Sequence, residues 1–349
     1  MNLKYDDRAE EKVFPFLLSM TLSFPSSYCT RLDSLGIFPA IKATGWRSHM
    51  DSTTRQKDKI IVIMGATGTG KSRLSIELAT QFPSEVINSD KMQVYKGLDI
   101  TTNKIPMHDR LGVPHHLFDE FDSLDGELTP AQFRLLASSA VASISTRSRL
   151  PLLVGGSNSF IHALVVDRFN YNSDVFDGLH SISSELRYNC CFLWVDVQFA
   201  VLSKYLSRRV DEMIDSGMFH ELAAFYESDS VEDRVGIRKA IGVPEFDRFF
   251  RSFPPGEGGV VESHLQEDLT RRMLFKEAVE AIKDNTLELA KRQIAKILLL
   301  RSAGWNLQRL DATDVFRAVL MSDSGKSSEI WEKEVVEPSV KIVRSFVDK

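Results

Sequence analysis

A glycine-rich segment between an apolar run and a helical pattern constrains this chain more than any other feature. Residues 65–72 read GATGTGKS, which fits the phosphate-binding pattern G-x-x-x-x-G-K-[ST]. Residues 59–64 before it are apolar and rich in β-branched side chains, which is typical of a strand buried on both faces of a parallel sheet. Residues 72–82 after it place apolar side chains at helical spacing. Strand, turn and helix in this order predict a phosphate loop at 65–72.

Each part of the phosphate loop has a chemical role. Glycines let successive backbone N–H groups converge on phosphate oxygens, and the start of the helix adds a partial positive charge. Lys71 adds a full charge, and Ser72 offers a hydroxyl to Mg²⁺, the cofactor we expect. The residues expected to contact a diphosphate group are Gly65, Ala66, Thr67, Gly68, Thr69, Gly70, Lys71 and Ser72.

The pattern along the chain predicts the fold class. Further short apolar runs at 85–88, 150–154 and 191–195 predict strands, and helical patterns lie between them, as at 130–146. Strands alternating with helices indicate an α/β fold with a parallel sheet and right-handed crossovers. We therefore expect a sheet like that of P-loop NTPases, flanked by helices.

The second half of the chain has a different texture, because strand patterns stop after Phe199. Residues 201–226 and 274–300 predict long amphipathic helices, which form a smaller helical region. The predicted organisation is an N-terminal extension at 1–57, a P-loop α/β core at 58–200, a helical substrate-covering region at 201–270, a helix returning to the core at 271–320 and a surface tail at 321–349.

Composition excludes several classes of protein. The 349 residues carry a net charge of −5, which argues against binding nucleic acid by bulk electrostatics. Three cysteines, two of them adjacent, supply neither a disulfide framework nor a C-x-x-C zinc site. The longest apolar runs are too short to cross a bilayer, so no membrane partner is expected.

The N-terminal extension predicts an organellar address. From Lys12 to Met50 the only acidic residue is Asp33, while serine and threonine recur, as in transit peptides. Acidic residues among the first eleven do not fit this pattern unless translation begins at Met20. We expect a chloroplast transit peptide. The alternatives are a disordered extension and a mitochondrial or cytoplasmic location.

Four further stretches carry a resemblance to a known family. They are 87–104 (INSDKMQVYKGLDITTNK), 112–117 (GVPHHL), 151–160 (PLLVGGSNSF) and 289–294 (LAKRQI). Together with the phosphate loop, and in the same order, they resemble the isopentenyltransferase family over most of the chain. That family includes plant adenylate isopentenyltransferases, the cytokinin synthases, and tRNA dimethylallyltransferases.

The resemblance implies a prenyl transfer. The phosphate loop would hold dimethylallyl diphosphate, and the five-carbon group would move to the exocyclic N6 of ADP or ATP, with AMP left open. Asp90 matches the family's base, which accepts the proton of a weakly nucleophilic amine. Thr67 matches the threonine whose hydroxyl lies near the scissile bond, and Lys71 would stabilise the leaving diphosphate.

The resemblance also implies substrate-binding residues, namely Ser89, Thr102, Lys104, Gly155, Gly156, Ser157, Arg238, Lys239, Lys291 and Arg292. Either Arg238 or Lys239 matches the family's diphosphate contact, so both are kept. A solvated helix face is the alternative explanation for Lys291 and Arg292. Adjacent His115 and His116 lack an evident carboxylate partner, so we predict loop structure there and no metal pair.

Two other functions stay open at this point. A tRNA dimethylallyltransferase is the main alternative. However, no cysteine lies beyond Cys191 to form the zinc finger common in eukaryotic tRNA enzymes. Only about thirty residues separate Gly156 from Cys190, too few for the inserted helical region of bacterial ones. A P-loop small-molecule kinase explains the phosphate loop but not the stretches around Asp90 and Gly156. We expect small-molecule substrates and no tRNA.

Overall fold

A six-stranded parallel sheet forms the centre of the computed structural model, which describes residues 57–170, 175–176, 182–227, 235–255 and 264–349. The strands are β1 (Lys59–Met64), β2 (Ser84–Asn88), β3 (His115–His116), β4 (Leu150–Val154), β5 (Asn189–Asp196) and β6 (Leu307–Asp311). Their order across the sheet is β3-β2-β4-β1-β5-β6, and every neighbouring pair is parallel. The predicted fold class is confirmed.

Helices cover both faces of this sheet. They are α1 (Lys71–Gln81), α2 (Pro130–Thr146), α3 (Asn158–Val165), α4 (Phe199–Asp215), α5 (Met218–Tyr226), α6 (Val243–Ser252), α7 (His264–Ser302), α8 (Thr313–Leu320), α9 (Ser324–Trp331) and α10 (Glu337–Val347). α2 begins where the sequence predicts, because Thr129 and Gln132 form a reciprocal capping box and Pro130 occupies the first turn.

The core lies on both sides of the central strand. Alternate residues of β1 point to opposite faces, so Ile60 and Val62 belong to one core cluster, which includes residues of α2, α3, α6 and α7. Ile61 and Ile63 pack with α1, α8, α9 and α10 on the other face. A strand buried on both faces must be apolar throughout, which explains the continuous apolar run that precedes the phosphate loop.

The long helical pattern at 201–226 is interrupted in the structure. α4 ends at Asp215 and α5 begins at Met218, with Gly217 between them at a φ of 103°. A left-handed residue ends a helix, and glycine adopts that conformation without strain. The second predicted helix, at 274–300, lies within the longer α7.

The expectation that no strand follows Phe199 is wrong. Residues 307–311 form β6, which pairs in parallel with β5, for example Leu310 beside Val195. β6 is an edge strand and buries only Leu310, so it carries no apolar run that sequence patterning could detect. The sheet therefore extends beyond the α/β core predicted at 58–200.

The expectation of a surface tail at 321–349 is also wrong. The segment forms α9, one π-helical turn at 332–336 and α10. Trp331 is 1% exposed, and Val335 and Val343 are fully buried among the core residues beside β1. Charged side chains are frequent in the segment, which explains the expectation, but several of its apolar residues are buried in the core beside the sheet.

The predicted transit peptide lies outside the described residues, apart from Lys57. None of the helices in the described ranges combines the length and the apolar composition that crossing a bilayer requires.

Candidate active site

A cleft of about 970 Å³ opens where β1, β2 and β4 end, the edge at which parallel α/β sheets bind ligands. The phosphate loop, the segment after β2, α4 and α8 form its walls. The predicted site residues that line it are Thr67, Gly68, Gly70, Lys71, Ser72, Asp90, Thr102, Lys104 and Gly155. The structure thus brings the phosphate loop and Asp90 into one cavity.

The phosphate loop depends on glycine where its backbone turns. Gly68 has a φ of 78°, and a Cβ added there would lie 2.6 Å from the Cδ2 atom of Leu206 on α4. The conformation strains any other residue at this position, and Leu206 would have to shift to admit a side chain. The hydroxyl of Thr69 donates to the carbonyl oxygen of Ala66 over 3.0 Å, which closes the turn from inside.

Lys71 is half-buried at the start of α1. Its ammonium group donates to the carbonyl oxygen of Ala66 over 2.6 Å, so it lies folded against the phosphate loop. Burial lowers the pKa of Lys71 to about 8, Asp90 opposes that shift, and the positive charge of Arg209 adds to it. A bound diphosphate would supply the negative charge that this environment lacks.

Asp90 follows β2 in a well-defined local structure. Its backbone N–H donates to Oδ1 of Asn88 over 2.9 Å, and the amide of Asn88 donates to the carbonyl oxygen of Asp90. The Oδ1 atom of Asp90 accepts from the N–H of Met92 over 3.0 Å. Oδ2 accepts no hydrogen bond from any described residue, which leaves it available to a ligand. The carboxylate is therefore oriented by its own strand end.

Arg209 on α4 is a site residue that sequence reasoning missed. It lines the cleft, and its Nη2 atom donates to the hydroxyl of Thr67 over 3.1 Å. Its Nε is buried and has no partner among the described residues. The only sequence indication was an adjacent arginine pair within a helical pattern, which gives no reason to place either arginine at the phosphate loop.

Gln293 on α7 is the second missed residue. Its side-chain oxygen accepts from the N–H of Thr67 over 2.7 Å, and its Nε2 donates to the carbonyl oxygen of Gly156 over 3.2 Å. It thereby links the phosphate loop to the turn after β4. Gln293 lies inside the 289–294 stretch that carried the family resemblance, next to the two basic residues singled out there.

The glycine pair after β4 packs closely against Ser89, the residue before Asp90, and against Gln293. A Cβ on Gly155 would lie 2.3 Å from the carbonyl carbon of Ser89, and one on Gly156 would lie 2.4 Å from Nε2 of Gln293. The N–H of Ser89 donates to the carbonyl oxygen of Val154, and the N–H of Ser157 donates to the carbonyl oxygen of Ser89. Of the predicted site residues here only Gly155 lines the cleft; Ser89, Gly156 and Ser157 do not. The hydroxyl of Ser89 is buried without a partner among the described residues.

Thr102 and Lys104 organise the wall after Asp90. The hydroxyl of Thr102 donates to the carbonyl oxygen of Leu98 over 2.7 Å. The buried ammonium of Lys104 contacts the carboxylates of Asp99 at 2.8 Å and Asp119 at 2.6 Å. Its charge is already balanced, so this lysine stabilises the loop around it.

The four remaining basic candidates do not line the cleft. Arg238 lies 3.9 Å from Asp247, and Lys239 pairs with Glu127. Lys291 on α7 pairs with Glu288 at 2.6 Å, and Arg292 beside it is exposed. Their roles toward substrate phosphates stay predictions.

The adjacent histidines form a strand, so the prediction of loop structure is wrong for them. They make up β3, where Nε2 of His116 lies 2.7 Å from the carboxylate of Glu85 and Nδ1 of His115 lies 2.8 Å from the carbonyl oxygen of Val113. In the described ranges no group of three histidine, cysteine, aspartate or glutamate residues could hold a metal ion.

Comparison with known proteins identifies the family. A family model described as IPP transferase matches residues 93–182 and 170–296. An adenylate isopentenyltransferase of Humulus lupulus is 64% identical, over 82% of this chain and 90% of its own length. The chain belongs to the isopentenyltransferase family. Adenylate isopentenyltransferase 1, chloroplastic, of Arabidopsis thaliana is 53% identical, over 85% of this chain and 84% of the relative.

Solved structures of the isopentenyltransferase family share the fold. A eukaryotic dimethylallyltransferase acting on tRNA is similar with a TM-score of 0.64 and 25% identity, over 83% of this chain and 80% of that one. The full-length tRNA isopentenylpyrophosphate transferase of Bacillus halodurans is similar with a TM-score of 0.58 and 25% identity, over 80% of this chain and 99% of that one. The fold is therefore common to members named for different acceptors.

Proposed function

We propose that this chain transfers the dimethylallyl group of dimethylallyl diphosphate to N6 of an adenine nucleotide, a prenyl transfer of cytokinin synthesis. The observation that carries the proposal is one cleft lined by the phosphate loop, with Lys71, and by the carboxylate of Asp90. Relatives named adenylate isopentenyltransferase support a nucleotide acceptor.

The phosphate loop stabilises the leaving group. As the bond between C1 of the donor and the bridging oxygen breaks, its electron pair passes to the diphosphate. Lys71 and the start of α1 border the cleft, where their positive charge would stabilise the negative charge that develops on the diphosphate and so lower the barrier. Arg209, held to the hydroxyl of Thr67, adds a second positive charge.

Asp90 accepts the proton that the acceptor amine loses. The lone pair of an adenine N6 is delocalised into the ring, so the amine attacks the allylic carbon well only if its proton has somewhere to go. A bond forms between N6 and C1 of the donor, and the N6 proton passes to the free oxygen of Asp90. The hydrogen bond from Met92 to the other oxygen fixes the direction of the carboxylate.

The residues at the phosphate loop fit a magnesium ion shared with a bound diphosphate. Mg²⁺ is usually held by one or two protein ligands together with substrate phosphates and water. Ser72 is exposed, lies at the start of α1 and lines the cleft, so its hydroxyl would be the protein ligand. When bound, the ion would supply further positive charge to the leaving diphosphate.

The names of the relatives support the proposed cellular location and substrates. Several are chloroplastic and one is mitochondrial, which supports our proposal of a plastid location. The expected partners are dimethylallyl diphosphate and ADP, ATP or AMP. The acidic net charge of −5 supports the exclusion of tRNA.

A comparison of kcat/KM among acceptors tests the proposal. Purified protein is given dimethylallyl diphosphate and Mg²⁺ with ADP, ATP, AMP or an unmodified tRNA transcript, and kcat/KM is measured for each. We expect the highest value for a free nucleotide. Asp90→Asn should lower kcat by about a hundred- to ten-thousand-fold, the usual contribution of a general base, with the affinity for dimethylallyl diphosphate retained.

Two outcomes would contradict the proposal. A higher kcat/KM for the transcript would assign a tRNA-modifying activity. A variant at Asp90 that keeps more than about a tenth of wild-type kcat would remove this residue as the base.

A further inference from the structure

Trp331, in the segment expected to be a tail, packs directly against the phosphate loop. Gly70 has a φ of 90°, and a Cβ added there would lie 2.6 Å from Cη2 and 2.9 Å from Cζ3 of the indole. The ring thus occupies the space that a side chain at Gly70 would need. Trp331 also borders the cleft, although it is 1% exposed.

The indole is fixed to α1 by polar contacts as well. Its N–H donates to Oε2 of Glu77 over 2.6 Å, and the guanidinium carbon of Arg73 lies 4.8 Å from the ring centroid. Arg73 and Glu77 form an ion pair of 2.9 Å one turn apart on the same helix. The first turns of α1 and the indole therefore form one packed unit.

The other side of Trp331 is held by the sheet. Val335, Val336 and Val343, which follow it along the chain, are buried in the core beside β1. At the end of α10 the carbonyl oxygen of Val347 accepts from the ammonium of Lys59, the first residue of β1, over 2.7 Å. α9 and α10 thus place the indole relative to the strand that leads into the phosphate loop.

We propose that Trp331 is a positioning residue of the diphosphate site, so that the C-terminal helices set the affinity for the prenyl donor. Gly70 precedes Lys71, and its backbone conformation directs the N–H groups at the start of α1. A glycine explores many conformations when nothing confines it, and the indole confines this one. A cradle held in place before the ligand arrives loses less entropy on binding.

The proposal rests on the proposed function only in taking a diphosphate as the ligand of the phosphate loop. Inorganic diphosphate with Mg²⁺ is therefore the first probe, because its binding needs neither acceptor nor transfer. If the wild type fails to bind diphosphate, the proposed function fails with it. If the wild type binds and the variants bind equally well, only the role of Trp331 is wrong.

The test compares Trp331→Ala with Trp331→Phe. Calorimetry gives the Kd for inorganic diphosphate, and kinetics give KM for dimethylallyl diphosphate and for ADP. We expect Trp331→Ala to raise the first two constants by about tenfold and the KM for ADP less than about twofold, because only the donor side loses pre-organisation. Trp331→Phe keeps a ring against Gly70 and should return both donor constants to within about threefold of wild type.

Val141→Ala is the control. It truncates a buried residue of α2, which packs on the other face of the sheet from Trp331 and does not border the cleft, so it should lower the unfolding temperature without changing the Kd for diphosphate. Equal effects of Val141→Ala and Trp331→Ala on the diphosphate constant would overturn the proposal. If Trp331→Ala does not fold, Trp331→Leu replaces it, and an unchanged Kd in that variant is equally contrary.

Discussion

At the scale of single residues, the surroundings of Lys71 shift its pKa in opposite directions. Burial is the main reason that the pKa of Lys71 falls to about 8, and Arg209 adds to the effect. Asp90, in the same cleft, favours the charged lysine. Binding an anion would favour the ammonium form, so donor binding and the protonation of Lys71 are linked.

This linkage predicts a pH dependence of donor binding. A lysine with a pKa of about 8 is charged below that pH and loses its charge above it. The KM for dimethylallyl diphosphate should stay nearly flat from pH 6.5 to 7.5 and rise above pH 8, approaching about tenfold per pH unit. Initial rates at saturating ADP measure it.

Lys71→Arg is the control for this pH dependence. A guanidinium stays charged throughout the range, so the variant should bind the donor with lower affinity but without the rise above pH 8. A wild-type KM that remains flat to pH 10 would show that Lys71 does not titrate as the structure indicates.

Site residues within the local sequence motifs could be predicted. Those that contact the motifs from distant positions in the sequence could not. Lys71 and Asp90 follow strands whose sequences are recognisable, so their positions are set by a few neighbours. Arg209 and Gln293 reach Thr67 from helices 142 and 226 residues further along the chain. Their roles depend on how the helices pack, which spacing within a segment does not reveal.

At the scale of elements, α7 acts as a support for the site. Gln293 faces the phosphate loop, while Lys291 and Arg292 of the same helix face outward. The basic pair is conspicuous in the sequence because of its charge. The glutamine matters structurally because it bonds the part-buried N–H of Thr67 and the buried carbonyl oxygen of Gly156.

Gln293→Leu tests this support. Leucine is similar in size but leaves the N–H of Thr67 and the carbonyl of Gly156 without this partner. The loss is about 1–3 kcal/mol for the buried carbonyl and smaller for the part-buried N–H, which water can reach. We expect lower stability in urea unfolding and a raised KM for dimethylallyl diphosphate. Arg292→Ala on the same helix should change the free energy of unfolding by less than about 0.5 kcal/mol. Equal stability of Gln293→Leu and wild type would exclude the supporting role.

The elements that sequence patterning missed share a physical cause. β6 is an edge strand with one buried side chain, and the apolar residues of α9 and α10 are diluted by charge. β1, β4 and β5 are continuous apolar runs, and α2 has a capping box, so each was identifiable from local chemistry alone. Partial burial produces weak patterns even where the packing is firm.

At the scale of the whole molecule, the described fold begins just before β1. The N–H of Asn189 donates to the carbonyl oxygen of Asp58, and the ammonium of Lys57 donates to that of Leu186, so the chain is attached to the sheet from this point onward. Every described residue that lines the cleft lies from Thr67 to Trp331.

A chain that begins at Ser52 should therefore fold and keep wild-type kcat/KM for ADP and dimethylallyl diphosphate. Residues 1–57 joined to a fluorescent protein should carry it into plastids, from the start at Met1 or from Met20. Activity and circular dichroism of the shortened chain, and microscopy of the fusions, provide the measurements. Loss of folding in the shortened chain, or diffuse cytosolic fluorescence from both starts, would contradict these expectations.

The position of β6 has a consequence for how the chain is made. β5 is complete at Asp196, but the strand that covers its outer edge ends only at Asp311. At a synthesis rate of 5–20 residues per second, roughly ten seconds pass on the ribosome while this edge waits for its partner. An uncovered strand edge pairs readily with other chains. Nascent copies on one crowded polysome would therefore need chaperones until the last strand emerges.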